Sequence, residues 1–366
     1  MKSPNHGVPS GDRYIARLLV EALQYAKFEV ELASELRSWE GQGDTGVQER
    51  IERDGQKEVK RLIEYYSSLS NAERPVAWFT YHLYHKAPDW IGPMVSEALS
   101  IPYFVAEASV APKQAKGNWS KGYHSSIAAL NQAQAVFSLN PNDLEYLTRL
   151  IQPNPGLVNL KPFLNISITK HNKQEIRQRI ASKRNINENH YWLCTVAMMR
   201  KDSKLKSYLM LAESIKLVER KDWQLLIVGN GPAQSEVKFA FGDNSNVHFL
   251  GIQSKEYIEE CLNASDIFLW PAINEAFGMS VLESLAAGLP VIAGRSGGIS
   301  QIVDHQQTGI LINDIDASKL AREIDDTLSQ PSRISRMSAK SIDKYHTEHS
   351  LEIGAKTLQK EIMKYL

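Results

Sequence analysis

Residues 274–293 read NEAFGMSVLESLAAGLPVIA, and they place a polar loop, a helix and an apolar strand in direct succession. Gly278 stands where the helix opens, and the unpaired N–H groups of a helix start carry the positive end of its dipole, which suits a phosphate. Glu275, at the mouth of this helix, is placed to bind hydroxyl groups of a ligand. Glu283 lies more than one turn into the helix, where a carboxylate can accept hydrogen bonds from two ribose hydroxyls. Either acid alone is as well explained as a solvated surface residue, so the prediction of a phosphate-linked ligand depends on the whole segment.

The rest of the chain alternates short apolar runs with helical stretches, in two rounds. Short all-apolar strands separated by helices indicate a parallel sheet that is covered on both faces. The fold class is therefore predicted as α/β, with two doubly wound domains whose strand ends face a ligand cleft. The predicted strands are Phe28–Leu32, Val76–Tyr81, Pro102–Ala106 and Ala135–Leu139 in the first round, and Tyr191–Ala197, Trp223–Val228, Val247–Leu250, Asp266–Leu269, Pro290–Ala293 and Gly309–Ile312 in the second.

The alternation breaks at a proline-rich stretch around Gln152–Gly156, so residues 151–170 are interpreted as the connection between two domains. We predict an N-terminal domain over residues 1–160 and a C-terminal domain over residues 171–345. The last segment, 346–366, is predicted as a helix that packs back toward the N-terminal domain.

The N-terminal domain departs from the doubly wound pattern at its beginning. The first predicted helix, Asp12–Ala26, follows a loop, but no strand precedes that loop. A doubly wound domain normally begins with a strand that feeds this turn and lies centrally in the sheet. Either the chain lacks an expected central strand or its true start lies upstream, and we favour the second hypothesis.

Composition narrows the classes of partner. The chain has 366 residues, with 42 Lys and Arg against 42 Asp and Glu, so no basic excess favours nucleic acid. Cys194 and Cys261 lack the spacing of a zinc site and are predicted as reduced, buried thiols of a cytoplasmic protein. Since no run of about 18 apolar residues occurs, contact with a membrane is expected to be peripheral at most.

Segment 274–293 resembles the E-x7-E region of retaining glycosyltransferase family 4, whose members have the GT-B fold, with two Rossmann-like domains facing a central cleft. The similarity includes the Glu-Ala-Phe-Gly start, the Ala-Ala-Gly-Leu-Pro-Val ending and the later Gly297-Gly298 and Thr308-Gly309. It is close over most of residues 191–312 and more diffuse in the N-terminal half. The resemblance implies an enzyme that moves a sugar, with retention, from a nucleotide-diphosphate donor to a glycan, lipid or small-molecule hydroxyl. It implies no metal and no other cofactor.

The resemblance also implies roles for single residues. Arg200 and Lys204 match a basic pair that contacts the diphosphate, and with Glu275 they are the predicted catalytic residues. Met199 stands where the family has glycine and the spacing is one residue shorter, so Lys201 or Lys206 is an alternative to Lys204. The predicted donor-binding residues are Gly11, Gly229, Ala276, Phe277, Gly278, Met279 and Glu283. For Gly229, in a Gly-Asn-Gly-Pro turn, a structural role as a tight strand exit is the alternative.

On the acceptor side the chain departs from the family. Many members have a histidine after the strand that corresponds to Pro102–Ala106, whereas this chain reads Glu107-Ala108-Ser109. The role of that histidine is then vacant, or it has moved to Glu107, Ser109 or His85. His82 and His85 follow another strand, and together these four residues are the candidates for contacting the acceptor or the sugar.

A metal site is not predicted. His82 and His85 alone supply too few ligands, and Asp316 of the Asp-Ile-Asp string at 314–316 is interpreted as a helix N-cap. Two rival functions stay open, namely a nucleotide-sugar epimerase or hydrolase of the same fold and a non-catalytic nucleotide-sugar-binding protein.

Overall fold

The computed structural model describes residues 3–5, 7, 11–150, 156–166, 172–275 and 277–366. The chain divides into two compact units, unit 1 of Met1–Lys161 with Leu351–Leu366 and unit 2 of Pro162–Ser350. Each unit contains one parallel sheet and its helices, so the predicted α/β class with two parallel-sheet domains is confirmed.

The strands and helices are numbered in chain order. The strands are β1 Trp78–Leu83, β2 Tyr103–Ala108, β3 Ala135–Ser138, β4 Gly156–Asn159, β5 Tyr191–Val196, β6 Trp223–Val228, β7 Val247–Gly251, β8 Ile267–Trp270, β9 Val291–Gly294 and β10 Gly309–Ile312. The helices are α1 Gly11–Tyr25, α2 Thr45–Ser68, α3 Gly92–Leu99, α4 Ser120–Gln132, α5 Pro141–Leu150, α6 Lys173–Arg184, α7 Ser203–Leu217, α8 Gln234–Phe241, α9 Lys255–Ala264, α10 Met279–Ala286, α11 Ile299–Ile302, α12 Ala317–Leu328, α13 Pro331–Lys344 and α14 Leu351–Ile362. A 3-10 turn, Pro112–Ala115, and a π-helical turn, Tyr345–His349, complete the set.

The sheet of unit 1 has the parallel order β1-β2-β3-β4. Every residue of β2 and β3 is buried, as expected of interior strands that read as apolar runs. The apolar stripe of α1, which includes Leu18 and Leu19, is buried as well. The C-terminal helix α14 packs on α1, and Gln359 Nε2 donates a hydrogen bond of 2.9 Å to the Ala26 carbonyl.

Two sequence predictions for this unit were wrong. Residues 28–32 are not part of a strand, because no described strand lies beside them to form a ladder. Part of the predicted connection, in contrast, is the strand β4, whose residues pair with β3 from Ala135↔Gly156 to Ser138↔Asn159. A four-residue strand that opens with glycine after a proline-rich stretch gives no periodic signal, so only its pairing partner reveals it.

Unit 2 has the parallel order β10-β9-β8-β5-β6-β7, and all of the strands predicted for it are present. The strand order switches sides at β5, because β6 and β7 lie on one side of it and β8, β9 and β10 on the other. β5 and β8 pair through Leu193↔Ile267 and Cys194↔Phe268. Ligands of doubly wound sheets bind at this switch point, outside the carboxyl ends of the strands. The loops that follow β5 and β8 therefore meet at the place where a site is expected.

Both cysteines are free and buried, as predicted, and burial raises the pKa of Cys261 to about 12. Among the described helices, none combines the length and the apolar character that a bilayer crossing requires.

Candidate functional site

The loops after β5 and β6 are locked together by their backbones. Met199 N donates a hydrogen bond of 2.9 Å to the Asn230 carbonyl. Gly229 has a φ of 132°, and a Cβ there would lie 2.0 Å from the Ala197 carbonyl oxygen. A Cβ at Gly231 would likewise lie 2.3 Å from the Met199 carbonyl oxygen. These contacts require glycine for the close approach of two loops, which supports the structural alternative for Gly229.

The loop after β5 carries the two predicted cations into α7. Asp202 caps this helix, because its side chain accepts a hydrogen bond of 2.8 Å from Lys204 N. Arg200 lies on the exposed part of the loop, and its Nε is 3.1 Å from Asp202 Oδ2. The Arg200 side chain is 54% exposed, so this ion pair is solvated and its guanidinium is accessible to a ligand.

Lys204 and Glu275 meet directly, although 71 residues separate them in sequence. The Lys204 ammonium forms an ion pair with Glu275 Oε2, and the two side chains are only 18% and 14% exposed. The Trp270 indole donates a hydrogen bond of 3.0 Å to the same oxygen, and Lys204 Nζ lies 5.2 Å from the centre of the indole ring. The Oε2 atom of this carboxylate is thus held by two partners, the Lys204 ammonium and the Trp270 indole.

The loop between β8 and α10 has a strained backbone. Ala272 and Asn274 have positive φ values of 57° and 51°, and Gly278 has a φ of 69°. For a residue with a Cβ this conformation costs roughly 1–2 kcal/mol, and such strain persists where the surroundings fix it. Here Glu275 N donates to the Ser296 hydroxyl oxygen at 3.2 Å, which ties the loop to the one after β9. This contact holds the strained loop in place and with it the position of Glu275.

Gly278 is the N-cap residue of α10, and no described side chain caps that helix. The φ value at Gly278 favours glycine, and a Cβ there would lie 2.3 Å from Ile299 Cδ1, so the end of the Ile299 side chain would have to shift. The first N–H groups of α10 are therefore available to an anion. Phe277 and Met279 flank this start and are partly buried, while Ala276 lies outside the described residues.

Glu283 lies in α10 and is partly buried rather than enclosed in the core. Burial raises the pKa of its carboxyl to about 7; Lys255 at the start of α9 opposes this rise, and Glu259 adds to it. The side chain therefore changes charge near neutral pH. In its ionised form it can accept hydrogen bonds from two hydroxyls.

In unit 1, His82 and Glu107 lie side by side at the carboxyl ends of β1 and β2. Each has a positive φ, 67° for His82 and 57° for Glu107, and the two strands pair again one residue further on, at Leu83↔Ala108. His82 Nδ1 lies 3.8 Å from Glu107 Oε1 and 3.9 Å from Asp12 Oδ1, distances too long for hydrogen bonds. Within the described residues, His82 Nδ1, Glu107 Oε2 and the Tyr81 hydroxyl are buried and have no hydrogen-bond partner. Buried polar atoms of this kind are expected to find a partner in a ligand or in water.

This group carries little charge at neutral pH. Burial raises the pKa of Glu107 to about 8, and the charges of Asp12 and Asp143 add to the rise. Burial lowers the pKa of His82 to about 4, although the nearby Asp12 favours its protonation. A protonated carboxyl and a neutral imidazole can each donate and accept a hydrogen bond. The pair is therefore suited to a neutral, hydroxyl-bearing ligand.

The other predicted residues of unit 1 are placed differently. The His85 ring packs edge-on against Tyr84 and Trp119, with ring centres 5.5 and 5.9 Å away, and its two nitrogens have no described partner. Ser109 is held by its backbone N–H, which donates to the Leu83 carbonyl at 3.0 Å. Gly11 is the first residue of α1, and a Cβ there would meet nothing within 4 Å.

Asp316 is the N-cap of α12, as predicted, and accepts a hydrogen bond of 2.8 Å from Lys319 N. The structure thus brings Lys204 and Glu275 together in unit 2, and His82 and Glu107 together in unit 1. The sequence analysis did not identify Trp270 as a partner of Glu275. Trp270 could have been identified from its position, because it is the last residue of the strand that precedes the loop carrying Glu275.

The model of the family described as glycosyl transferases group 1 matches residues 176–344. A GDP-mannose-dependent monoacylated alpha-(1-6)-phosphatidylinositol monomannoside mannosyltransferase of Corynebacterium glutamicum is 36% identical over 150 residues, 39% of each chain. The N-acetyl-alpha-D-glucosaminyl L-malate synthase of Bacillus anthracis is 26% identical over 185 residues, 50% of this chain and 47% of that protein. The chain therefore spans less than half the length of these curated relatives.

Solved structures resemble this chain over a larger part of its length. Anabaena HepE in complex with UDP-glucose is similar with a TM-score of 0.68 and 14% identity, covering 100% of this chain and 98% of that one. A glycosyltransferase from Rickettsia africae has a TM-score of 0.69 and 18% identity, covering 95% and 88% of the two chains. At such identities the likeness concerns the fold, and it confirms the predicted GT-B fold with two Rossmann-like domains. Residues 176–344, which make up less than half of the chain, are similar to the glycosyl transferases group 1 family.

Proposed function

We propose that this protein is a glycosyltransferase that moves a sugar, with retention and without a metal, from a nucleoside-diphosphate donor to a hydroxyl of a glycan, lipid or small-molecule acceptor. The observation that carries the proposal is the Lys204–Glu275 ion pair, set beside the helix start at Gly278. A sugar diphosphate needs a cation and N–H donors for its phosphates and a carboxylate for its sugar hydroxyls. The GDP-mannose dependence of the Corynebacterium relative and the UDP-glucose bound to HepE support this class of donor.

The proposed reaction exchanges one bond at the anomeric carbon. The acceptor oxygen forms a bond to that carbon while the bond from carbon to the phosphate oxygen breaks, and its electron pair leaves with the nucleoside diphosphate. The acceptor proton passes to the departing phosphate oxygen, on the same face of the sugar. Lys204, Arg200 and the N–H groups that begin α10 stabilise the negative charge that develops there. In this scheme the protein supplies position and charge rather than a nucleophile.

Lys204 has two partners in this scheme. Its ammonium is paired with Glu275 when no donor is bound, and a phosphate oxygen then takes over part of that contact. Glu275 keeps the Trp270 hydrogen bond, and its carboxylate becomes available to the sugar hydroxyls. Because both side chains are largely buried, the exchange replaces one charge-assisted contact with another and leaves neither charge unpaired.

Unit 1 supplies the acceptor-binding groups in this proposal. His82 and Glu107 offer a neutral imidazole and a carboxyl whose pKa is raised to about 8, and each lacks a described partner for one buried atom. Such groups favour a neutral hydroxyl over an anion. Glu107 thus takes the place of the family's histidine at this strand end.

Binding of the donor is tested first, by the thermal stability of the protein with UDP, GDP and ADP and with the matching monophosphates. A ligand at 100 times its Kd stabilises a protein by about 2.7 kcal/mol, so the preferred diphosphate is expected to give a clear shift. Lys204→Met should weaken diphosphate binding by about tenfold or more and leave monophosphate binding nearly unchanged. Lys216→Met is the matched control, because Lys216 is an exposed lysine near the other end of α7. Equal behaviour of the two variants would exclude the proposed donor site.

Turnover is tested with a labelled nucleotide sugar, with and without a set of hydroxyl acceptors. Acceptor-dependent transfer with retained anomeric configuration, unaffected by a chelator of divalent metals, is the expected result. Arg200→Ala should slow it by more than about tenfold. Rapid formation of an epimer or free sugar without acceptor would instead identify an epimerase or hydrolase. Tight donor binding with no turnover would identify a binding protein.

A further inference from the structure

Three loops of unit 1 meet at the carboxyl end of β1 and hold one another in place. Glu40, in the first loop, donates its backbone N–H to the Lys86 carbonyl in the second at 2.9 Å. The Trp119 indole of the third loop donates to the Glu40 carbonyl at 3.4 Å. A Cβ at Gly122, in the first turn of α4, would lie 2.2 Å from the His85 carbonyl oxygen, so this helix packs closely on the second loop. The loops consist of residues 37–43, 84–87 and 112–119.

Aromatic rings connect His82 with these loops in one series. The ring centres of His82 and Tyr84 are 5.0 Å apart, those of Tyr84 and His85 5.5 Å, and those of His85 and Trp119 5.9 Å. Tyr84, His85 and Trp119 are partly buried, and Trp39 of the first loop is 37% exposed. Such side chains offer large, rigid surfaces with polar edges, which suit the C–H face and the hydroxyl rim of a sugar ring. The series therefore extends the proposed acceptor-binding groups beyond His82.

Two cations lie over the indole rings of these loops. The Arg37 guanidinium is 4.9 Å from the centre of the Trp39 ring, and the Lys86 ammonium is 4.4 Å from the centre of the Trp119 ring. Within the part of the chain that the structure describes, neither cation forms an ion pair with a carboxylate. A cation over a ring near the surface is held only weakly, so both charges remain available to an anion.

The three loops carry an excess of positive charge. Their residues include four cations, Arg37, Lys86, Lys113 and Lys116, and one acid, Glu40. Glu40 is only 6% exposed, and its carboxylate accepts hydrogen bonds from two backbone N–H groups of its own loop, so it does not pair with these cations. Since the net charge of the whole chain is zero, the excess is a local feature, and it favours an anionic ligand.

His85 adds a neutral hydrogen-bonding group between the rings. Burial lowers the pKa of its imidazole, and the charges of Lys86 and Lys113 lower the pKa further, so the ring is uncharged at neutral pH. Both of its nitrogens are buried and have no hydrogen-bond partner among the described residues. A neutral imidazole donates one hydrogen bond and accepts another, which matches a sugar hydroxyl.

We propose that the three loops form a second sugar subsite of the acceptor site, which binds an acidic sugar residue of a glycan. The ring of this sugar packs on the indoles, its carboxylate pairs with the cations that lie over them, and one of its hydroxyls meets His85. The His82–Glu107 pair, which carries little charge, then receives the neutral hydroxyl of the next sugar residue. The inference rests on the proposed function for the role of the glycan as acceptor, and it narrows that acceptor to an acidic glycan of two or more sugars.

A glycan chain accounts for more of these features than the headgroups of a membrane. An anionic lipid surface would attract the same cations. It would leave the partly buried rings of Tyr84, His85 and Trp119 without contact, however, because a flat surface reaches only exposed side chains. A single glycan chain can lie along the series of rings and meet the cations at the same time.

Binding is tested by calorimetry with the full chain and without a nucleotide sugar. The probes are tetrasaccharides of galacturonate, mannuronate and hyaluronan, each compared with its carboxyl-reduced, neutral form. At least one acidic tetrasaccharide should bind about tenfold or more tightly than its neutral form, because its carboxylates make charge-assisted contacts that the neutral form lacks.

Variants separate the contributions of charge and ring. Lys86→Met and Arg37→Met should each weaken binding of the acidic form by about fivefold or more and change binding of the neutral form little. Arg37 is exposed, so its replacement tests the charge independently of any effect of Lys86→Met on the fold. Trp39→Leu should weaken binding of both forms by a similar factor, because it removes a contact with the sugar ring. The controls are Lys60→Met and Tyr65→Leu, which change exposed residues of α2 in the same unit and should leave binding unchanged.

Equal binding of the acidic and neutral forms, or binding that both charge variants leave unchanged, would overturn the proposal. The absence of binding by every tetrasaccharide would overturn it as well. Charge-dependent binding to vesicles of phosphatidylglycerol, without binding of any tetrasaccharide, would overturn it in favour of a lipid headgroup. Lys204 lies in unit 2, so Lys204→Met should bind the tetrasaccharide as the parent does. Failure of this subsite and failure of the proposed donor site therefore give different results.

Discussion

Replacing Glu107 by glutamine should stabilise unit 1 at pH 8 and change it little at pH 4. Burial raises the pKa of this carboxyl from 4.5 to about 8. In the unfolded chain it titrates near its ordinary value, so between these pH values the unfolded state is ionised while the folded state keeps its proton. Because the folded state then binds more protons, the stability of the parent protein falls as the pH rises through this window. Glutamine is neutral throughout and removes that loss.

The magnitude follows from the same two pKa values. The difference between 4.5 and about 8 corresponds to at most about 5 kcal/mol, at 1.36 kcal/mol for each pH unit. Local relaxation and entry of water reduce the cost of ionising a buried carboxyl. At pH 8 the free energy of unfolding of unit 1 is therefore expected to be about 2–3 kcal/mol higher in Glu107→Gln than in the parent protein. This difference in stability should decrease steadily toward pH 5.

The measurement must report on unit 1 alone, because a protein with two compact units has no single free energy of unfolding. Pulse proteolysis in urea at pH 5, 6, 7 and 8 meets this need, since the surviving fragments show which unit has unfolded. Glu97→Gln, on the exposed face of α3 in the same unit, is the control. If the parent and Glu107→Gln lose stability with equal slopes, Glu107 does not hold its proton in the folded state and the reasoning fails.

Three further results are expected. Donor affinity should increase by up to about tenfold from pH 6 to pH 8, because the pKa of Glu283 is raised to about 7 and its ionised form accepts hydrogen bonds from both ribose hydroxyls. Calorimetric titration should show this pH dependence in the parent protein and a constant affinity in Glu283→Gln. A constant affinity in the parent protein would contradict the prediction. Gly278→Ala should lower the free energy of unfolding by about 1 kcal/mol more than Gly242→Ala, as measured by thermal melting. The φ values of the two glycines are similar, 69° at Gly278 and 61° at Gly242, but only the Cβ added at Gly278 meets a side-chain carbon, at 2.3 Å. Equal losses of stability would count against tight packing at Gly278. Glu275→Gln should bind the nucleoside diphosphate more tightly, because Lys204 loses its ion-pair partner and is available to the phosphates. The same variant should transfer sugar more slowly, because the carboxylate proposed to bind the sugar hydroxyls is gone. Weaker binding of the diphosphate in a titration would refute the proposed exchange of partners.

The sheet of unit 2 was predictable from the sequence because its strands are short and apolar, and four of them, β6, β8, β9 and β10, are buried throughout. Each strand there is identified by its own residues, and the helix start at Gly278 follows from the local pattern. Unit 1 shows the limit of such reasoning. Residues 28–32 have the composition of a strand but no described partner, whereas β4 has a partner but almost no signal of its own. A strand forms only when its backbone makes hydrogen bonds to a neighbouring strand, and the residues of one segment do not specify that neighbour.

The candidate site was predictable as a set of residues but not as a set of contacts. Lys204 and Glu275 were predicted as members of one site, yet their ion pair depends on the order of β5 and β8 in the sheet. Glu107 and His82 were separate acceptor candidates. Their raised and lowered pKa values follow from burial at neighbouring strand ends, and only the packed fold reveals that burial.

The locked loops after β5 and β6 have a consequence for the thermodynamics of donor binding. Met199 is bonded through its backbone to Asn230 and immediately precedes Arg200, so the base of the cation-bearing loop is fixed before any ligand arrives. Little backbone entropy then remains to be lost on association, which favours affinity. A substitution that adds a side chain at Gly229 or Gly231 should therefore weaken ligand binding by loosening this loop, even though neither residue would need to touch the ligand.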